Sequence, residues 1–498
     1  MSQAVVARQP AVSQPAPLQA IDVYLESKLK QYRIPGLAIA IVQGDRIIHS
    51  KGFGIADSEK RPVTPETPFI LGSVSKSFTA LAIMQLVEAS KVNLDAPVQQ
   101  YLPWFNVAVG VASSRNETLR ERNENRQASS QITVRHLLNQ VSGISTRTGR
   151  KYIDRDTGEG AIEKYVRNLN ADRLSQPVGK KFQYSNANYI ILGAIVQAIS
   201  GMSYERYIQQ YIFTPLEMRH SYTSQQQSQQ GSPALSVGNR FWFGYPVWTE
   251  VAYIREYLPS GNLIASVEDL GHYLIPYLND GRYQDINLVS SVRIAQLHQP
   301  AAEVGDRLFY GMGWFVRSIN NIPIVSHGGE APNYSSNITL IPTQKLGFAL
   351  LINVIPGVAG EPIRQLSEGI VNLLTDRPPV EGRNSFLTQL QVIAFPALLM
   401  LQLLGLFRTW IVLRQWRTRS KSPHLDVKSL LRHVGLPLIL DAEIAAGLLI
   451  GLPMLFEAPL PVMLVFQPDL IGIAMISATL ALVGGLLRAG VSLQLLLT

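Results

Sequence analysis

Gly72-Ser73-Val74-Ser75-Lys76-Ser77-Phe78-Thr79-Ala80-Leu81-Ala82-Ile83-Met84-Gln85-Leu86-Val87 decides the fold of this 498-residue chain. From Phe78 onward the stretch is apolar nearly all round, the pattern of a helix buried on every side. It opens on a serine and a lysine spaced S-x-x-K. Three residues apart on a helix, Lys76 lies one turn along the face of Ser73, within reach of its oxygen. A serine hydroxyl is a poor nucleophile near neutral pH until a base takes its proton. A lysine drawn out of water gives up its own proton more easily and can be that base. The free N–H groups and positive dipole end of a helix start favour negative charge developing at the serine. The plain structural alternative is an N-capping serine beside a lysine whose head reaches water.

The bare pattern arises by chance about once or twice in a chain of this length. Ser27-Lys28-Leu29-Lys30 is a second copy, set in a charged amphipathic stretch (21–32) that reads as a surface helix. Two further motifs separate the copies: Tyr184-Ser185-Asn186 and His327-Gly328-Gly329. Tyr277-Leu278-Asn279 repeats Y-x-N inside a helical run (267–278) and reads as structural. Taken in order, S-x-x-K, Y-x-N and H-G-G resemble the motif set of the serine β-lactamase and penicillin-binding protein superfamily. The resemblance is closest to class C β-lactamases, D-alanyl-D-alanine carboxypeptidases and esterase-like relatives. Weaker landmarks accompany it: Ile132-Thr133-Val134-Arg135-His136-Leu137-Leu138 leading to Ser142-Gly143, then Pro259-Ser260-Gly261 and Leu350-Leu351-Ile352-Asn353.

The resemblance implies roles. Ser73 would be acylated, with Lys76 as its base. Tyr184 would pass a proton to the leaving group and later activate water, which needs its pKa lowered by cations such as Lys76. Asn186 would bond Lys76 and the substrate amide. His327, Gly328 and Gly329 would lie on a strand edge that substrate approaches closely, the reason for two small residues. The backbone N–H groups of Ser73 and Glu330 would form the oxyanion hole. No cofactor and no metal are implied. One departure matters: β-lactamases proper usually carry lysine where this chain has His327, mostly neutral near pH 7. A peptide or ester substrate is therefore at least as well matched as a β-lactam.

Strands are expected at 37–42 and 46–50, and again near 311–317, 322–327, 336–342 and 346–354, with a closing helix at 363–374. Strands from both ends with helices between them make an α+β arrangement: an antiparallel sheet flanked by helices, plus a helical subdomain. Residues 109–131 read as a polar surface insertion and 224–232 as a Gln/Ser-rich mobile loop. The domain is expected to cover 20–375, after a flexible Gln/Ala/Pro-rich leader (1–19) and before a Pro378-Pro379 linker (376–385).

The tail, 386–498, is a second signal. Three apolar stretches, about 386–407, 435–456 and 470–490, approach the ~20 residues of a membrane span. Arg408, Arg414, Arg417, Arg419, Lys421, Lys428 and Arg432 crowd between the first two, whereas 457–469 has no lysine or arginine. The positive-inside rule puts the basic loop in the cytoplasm and the catalytic domain outside a bacterial cell membrane. The leader has no apolar export segment, so the expectation is a signal peptide lying upstream or already removed, the alternative being insertion of the first span as a reverse anchor. Asp441 and Glu443 in the second span are given no role.

The eight histidines show no H-E-x-x-H spacing, there is no cysteine, and no G-x-S-x-G elbow marks an α/β-hydrolase. The formal net charge of +8 is not gathered into a basic patch with interleaved aromatics, which argues against nucleic acid. The expected activity is a membrane-anchored serine hydrolase acting through an acyl-enzyme on a peptide, ester or β-lactam carbonyl. Its partners would be a small-molecule or peptide substrate, cell-wall peptides among them, and the lipid bilayer. The alternative is a sensor that binds penicillin or cell-wall peptides with weak or no turnover.

Overall fold

The computed structural model describes residues 16–108, 127–151, 158, 160–250, 252–355, 361–379, 386–418, 431 and 435–497. The chain opens with α1 (Ala16–Gln31), β1 (Gly36–Gln43), β2 (Arg46–Gly54) and α2 (Ser75–Glu88). Two long helices follow among shorter ones, α3 (Asn186–Ser200) and α4 (Val267–Leu278). The remaining strands are β3 (Ala302–Gly305), β4 (Leu308–Tyr310), β5 (Phe315–Ile319), β6 (Ile322–Ala331), β7 (Tyr334–Ile341) and β8 (Leu346–Ile352), closed by α5 (Glu361–Leu374). Together with β1 and β2 they form an eight-stranded sheet in the order β2-β1-β8-β7-β6-β5-β4-β3, antiparallel throughout.

The alternation along β1 explains the layers. Leu37, Ile39 and Ile41 point to one core, shared with Leu18, Ile21 and Leu25 of α1 and Leu366 and Ile370 of α5. Ala38, Ala40 and Val42 point to the other, shared with α2, α3 and α4. Side chains alternate across a strand, so one apolar run serves both faces. The small residues face α4, whose Gly271 comes so near that an added Cβ would lie 2.6 Å from Ile47. In α2 every residue but Gln85 and Glu88 is buried.

The expected strands are present, except that the one expected near 311–317 begins only at Phe315 and runs to Ile319, after a bend at 312–313. The edge strands β3 and β4 are additional, too short to show a period. α1 begins at Ala16 and buries Leu18, so it starts inside the stretch read as leader. Residues 109–126, most of the expected insertion, and 380–385 of the linker lie outside the described residues. The Gln/Ser-rich segment holds a short helix, Gln225–Gln229.

In the tail, α6 (Phe386–Thr418), α7 (Leu436–Ala446, continued through Gly447–Gly451 and Leu452–Leu455) and α8 (Pro468–Leu497) are helical. Among the described residues two stretches are long and apolar enough to cross a membrane, Leu436–Leu455 and Pro468–Leu487; the apolar part of α6, Ile393–Phe407, is shorter. Gln402 of α6 donates to the Ser477 carbonyl of α8 (3.0 Å).

The turn that carries Ser73 is pressed onto β6. An added Cβ on Gly329 would lie 2.1 Å from the Leu71 carbonyl and 2.2 Å from Ser336 Oγ, whereas one on Gly328 meets nothing nearer than 3.9 Å. Gly329→Ala is therefore expected to cost about 1–3 kcal/mol by overpacking, and Gly328→Ala far less. Urea unfolding of the two variants checks this; equal midpoints would contradict the packing described.

Candidate active site

Ser73 sits in a 3₁₀ turn, Gly72–Val74, immediately before α2. No side-chain cap bond is made there, so Ser73 is not the capping serine of the plain alternative. Gly72 has φ +53°, and a Cβ on it would meet the Glu330 nitrogen at 2.6 Å. Glycine takes that backbone conformation without the steric cost a side chain brings, and it lets the turn touch β6. The backbone of Glu330 thereby lies next to the backbone on which Ser73 is mounted.

Lys76, one turn on, is fully buried. Its Nζ donates to Ser73 Oγ at 2.9 Å and to the Ser260 carbonyl at 2.6 Å. The amine also lies over the ring of Tyr184, 4.8 Å from its centroid. Burial, helped by the charge of Arg150, holds its pKa well below the ordinary lysine value of 10.5. Removing a cation from water favours its neutral form. Once neutral, Nζ has a lone pair, and the 2.9 Å contact can reverse so that Oγ–H donates to nitrogen.

Ser260 is held in place by α2 itself. Thr79 Oγ1 donates to the Pro259 carbonyl (2.6 Å), and the Leu263 N–H donates to Ser75 Oγ (3.1 Å). The Pro259-Ser260-Gly261 landmark is thus the strap that closes over the lysine.

Tyr184 is fixed through its neighbours. The N–H of Gln183 donates to the Gln140 carbonyl (2.8 Å) and that of Ser185 to Gln140 Oε1 (3.0 Å). Tyr184 bonds Ser73, but burial and the nearby Tyr310 push its pKa well up rather than down. The expected lowering by cations does not occur: burial outweighs the pull of Arg150. Tyr184 therefore keeps its proton. Asn186 opens α3, yet it makes no bond to Lys76, whose donors go to Ser73 and Ser260. Its Oδ1 is buried without a hydrogen-bond partner.

His327 is buried, with Nδ1 2.7 Å from the Gly328 carbonyl and Nε2 3.3 Å from Tyr310 Oη. A carbonyl only accepts, so Nδ1 carries the proton. Burial, then Lys76, pushes its pKa down to about 3, leaving the ring neutral as expected. β5 reaches β6 no further than the pair Phe315↔Ser326, so His327–Ala331 pair only with β7 and leave a local edge. Along that edge Gly329 serves the Ser73 turn and Gly328 is exposed. The small residues thus have separate grounds, and Gly329 is required by packing rather than by substrate. Solvent reaches Glu330, yet the protein mass around it raises its carboxyl pKa while Arg150 pulls it down.

The second S-x-x-K copy has Ser27 and Lys30 exposed on α1, far from any such enclosure. Tyr277 bonds Tyr273 (2.7 Å) in the core, as its helical setting implied. Sequence reading missed Arg150 and Gln140. Gln140 precedes the Ser142-Gly143 landmark by two residues, the one signal that pointed near it. Arg150 lies among polar residues with no motif around it.

A buried lysine beside a serine, under a tyrosine, at one end of an antiparallel sheet defines the β-lactamase/transpeptidase fold. The chain belongs to the Beta-lactamase family, whose model matches residues 21–366. It is 29% identical over 411 residues to protein flp of Staphylococcus aureus (strain MW2), covering 80% of this chain and 75% of that one. It is 26% identical over 339 residues to penicillin-binding protein 4 of Amycolatopsis lactamdurans, covering 65% and 82%. Among solved structures it resembles the octameric penicillin-binding protein homologue from Pyrococcus abyssi, with TM-score 0.60, 27% identity and coverage of 73% and 78%. The superfamily is generally one of serine hydrolases acting on acyl substrates.

The depressed pKa of Lys76 sets two pH dependences. Reaction of Ser73 with a fluorophosphonate should rise with pH and level off well below 10.5, and Lys76→Met should slow it at least 100-fold. Between the lowered value and 10.5 the unfolded chain holds a proton that the folded chain does not. Stability from this group therefore increases with pH across that window, a slope that Lys76→Met should remove. Urea midpoints of both proteins across that pH range measure it.

Proposed function

We propose that this protein is a membrane-anchored serine hydrolase that works through an acyl-enzyme on Ser73. The observation that carries the reading is the 2.9 Å contact between Ser73 Oγ and a buried amine held below its usual pKa. Neutral Lys76 takes the proton from Oγ as oxygen bonds to the substrate carbonyl carbon. The N–H groups of Ser73 and Glu330 receive the charge on the carbonyl oxygen. Tyr184, kept protonated, gives its proton to the leaving group as the carbonyl–heteroatom bond breaks, and Lys76 returns one to Tyr184. Water then attacks the acyl carbon by the same relay in reverse and frees Ser73. Asn186 Oδ1 accepts from an N–H of the substrate.

Neutral His327 offers no cation where β-lactamases proper usually carry one. Arg150 and Arg240 line the cleft, and the field of Arg150 reaches Lys76, Tyr184 and Glu330. A substrate carboxylate would find its cation there. We favour a peptide or ester carbonyl over a β-lactam.

The two membrane-length helices and the basic residues between 408 and 432 support anchoring, with α6 as a third, shorter crossing. The catalytic domain and the 457–469 loop then share the outer side of the bacterial membrane.

Labelling with a fluorescent penicillin and a fluorophosphonate tests the site: Ser73→Ala should lose both labels and all hydrolysis, while Ser27→Ala keeps them. A Ser73→Ala protein that still turns over a D-alanyl dipeptide or a short ester would sink the mechanism. Labelling without turnover on either would favour the sensor alternative. Because the chain has no cysteine, topology is open to single-cysteine labelling. Glu457→Cys should react with an impermeant maleimide in intact cells, and Ser422→Cys only after permeabilisation; the reverse pattern overturns the orientation.

A further inference from the structure

A groove of about 1290 Å³ begins at Ser73, Tyr184 and Asn186 and continues between the catalytic domain and the tail. It exceeds the ~300–1,000 Å³ of an ordinary small-molecule pocket. Its far wall is apolar: Leu452, Leu455, Phe456, Val462, Met463 and Phe466 line it. Leu455 is 76% and Phe456 39% exposed, and they stand at the end of the membrane-length stretch Leu436–Leu455, so the groove opens from the nucleophile toward the side that lipid acyl chains would occupy. The wall is tied to the catalytic domain at both ends. Arg150 donates to the Phe456 carbonyl (2.5 Å), and the Phe243 N–H donates to Asp469 Oδ2 (2.9 Å). One continuous surface therefore runs from the nucleophile to uncovered hydrocarbon side chains. A short polar peptide or a compact ring would leave most of it wet.

We infer that the substrate carries a long apolar chain, as in an acylated peptide or a fatty ester. Its tail lies along Leu452–Phe466 while the scissile carbonyl reaches Ser73. The inference rests on the acyl-enzyme reading of Ser73.

The test is hydrolysis of p-nitrophenyl butyrate and decanoate by the full chain in one detergent, below the esters' own aggregation. Each methylene fully buried is worth a factor of about four at most, so six partly buried ones should raise kcat/KM at least about tenfold. The decanoate/butyrate ratio within one preparation is insensitive to how much of it is folded. Leu455→Gln with Phe456→Gln should cut that ratio to about threefold or less, whereas Leu486→Gln, exposed on α8 away from the groove, should leave it at the wild-type value. A wild-type ratio near one, or a ratio that the double variant does not change, overturns the inference. Fluorophosphonate labelling of the same preparation separates the two failures. Labelled Ser73 with a flat ratio overturns the chain-binding wall alone; absent labelling at Ser73 removes the acyl-enzyme reading and this inference with it.

Discussion

The removal of one amine from water organises the catalytic half of this protein. A lysine in solution is a cation with no use as a base at neutral pH. Here Lys76 is enclosed by α2, by the 259–263 strap and by the ring of Tyr184, and the enclosure itself changes its chemistry. The enclosure is costly, because a buried amine is stabilising only where its remaining protons find acceptors. The Ser260 carbonyl and Ser73 Oγ are those acceptors. The bonds that Ser75 and Thr79 make to the same strap show how much of α2 is spent on holding it closed.

Burial acts on the two proton carriers in opposite senses. It lowers the pKa of Lys76 and raises that of Tyr184, because in both cases the charged form is the one that suffers. The pair thus has the opposed proton affinities that the proposed base and acid roles require. Arg150 biases both in the same electrostatic direction, and His327, neutral beside them, adds shape and a bond to Tyr310 without adding charge.

The fold was readable because its signals are local and repetitive. The two-faced run Leu37–Val42 and the all-apolar α2 need no partner to be recognised. The site was readable where three motifs reinforced one another, and it misled where an effect depends on enclosure. Nothing in Tyr184-Ser185-Asn186 tells whether the tyrosine is wet, so the direction of its pKa shift was inverted. Nothing tells that Lys76 would spend its bonds on Ser260, which leaves Asn186 Oδ1 unpartnered. Gly328 and Gly329 are alike in sequence and differ only in what a Cβ would strike. Arg150 acts through space and leaves no pattern, while β3 and β4 are too short for alternation to show.

The sheet joins the two ends of the catalytic domain. β1 pairs with β8 from Leu37↔Ile352 to Gln43↔Leu346, across some of the largest sequence separations in the chain. The turn bearing Ser73 takes its place only against β6, and the strap over Lys76 comes from residues between them. A chain still emerging from the ribosome therefore carries an ordinary ammonium beside an ordinary hydroxyl. Reactivity waits on residues as late as β6, so the segment bearing Ser73 and Lys76 stays chemically silent until the chain as far as Glu330 has been made and folded against it.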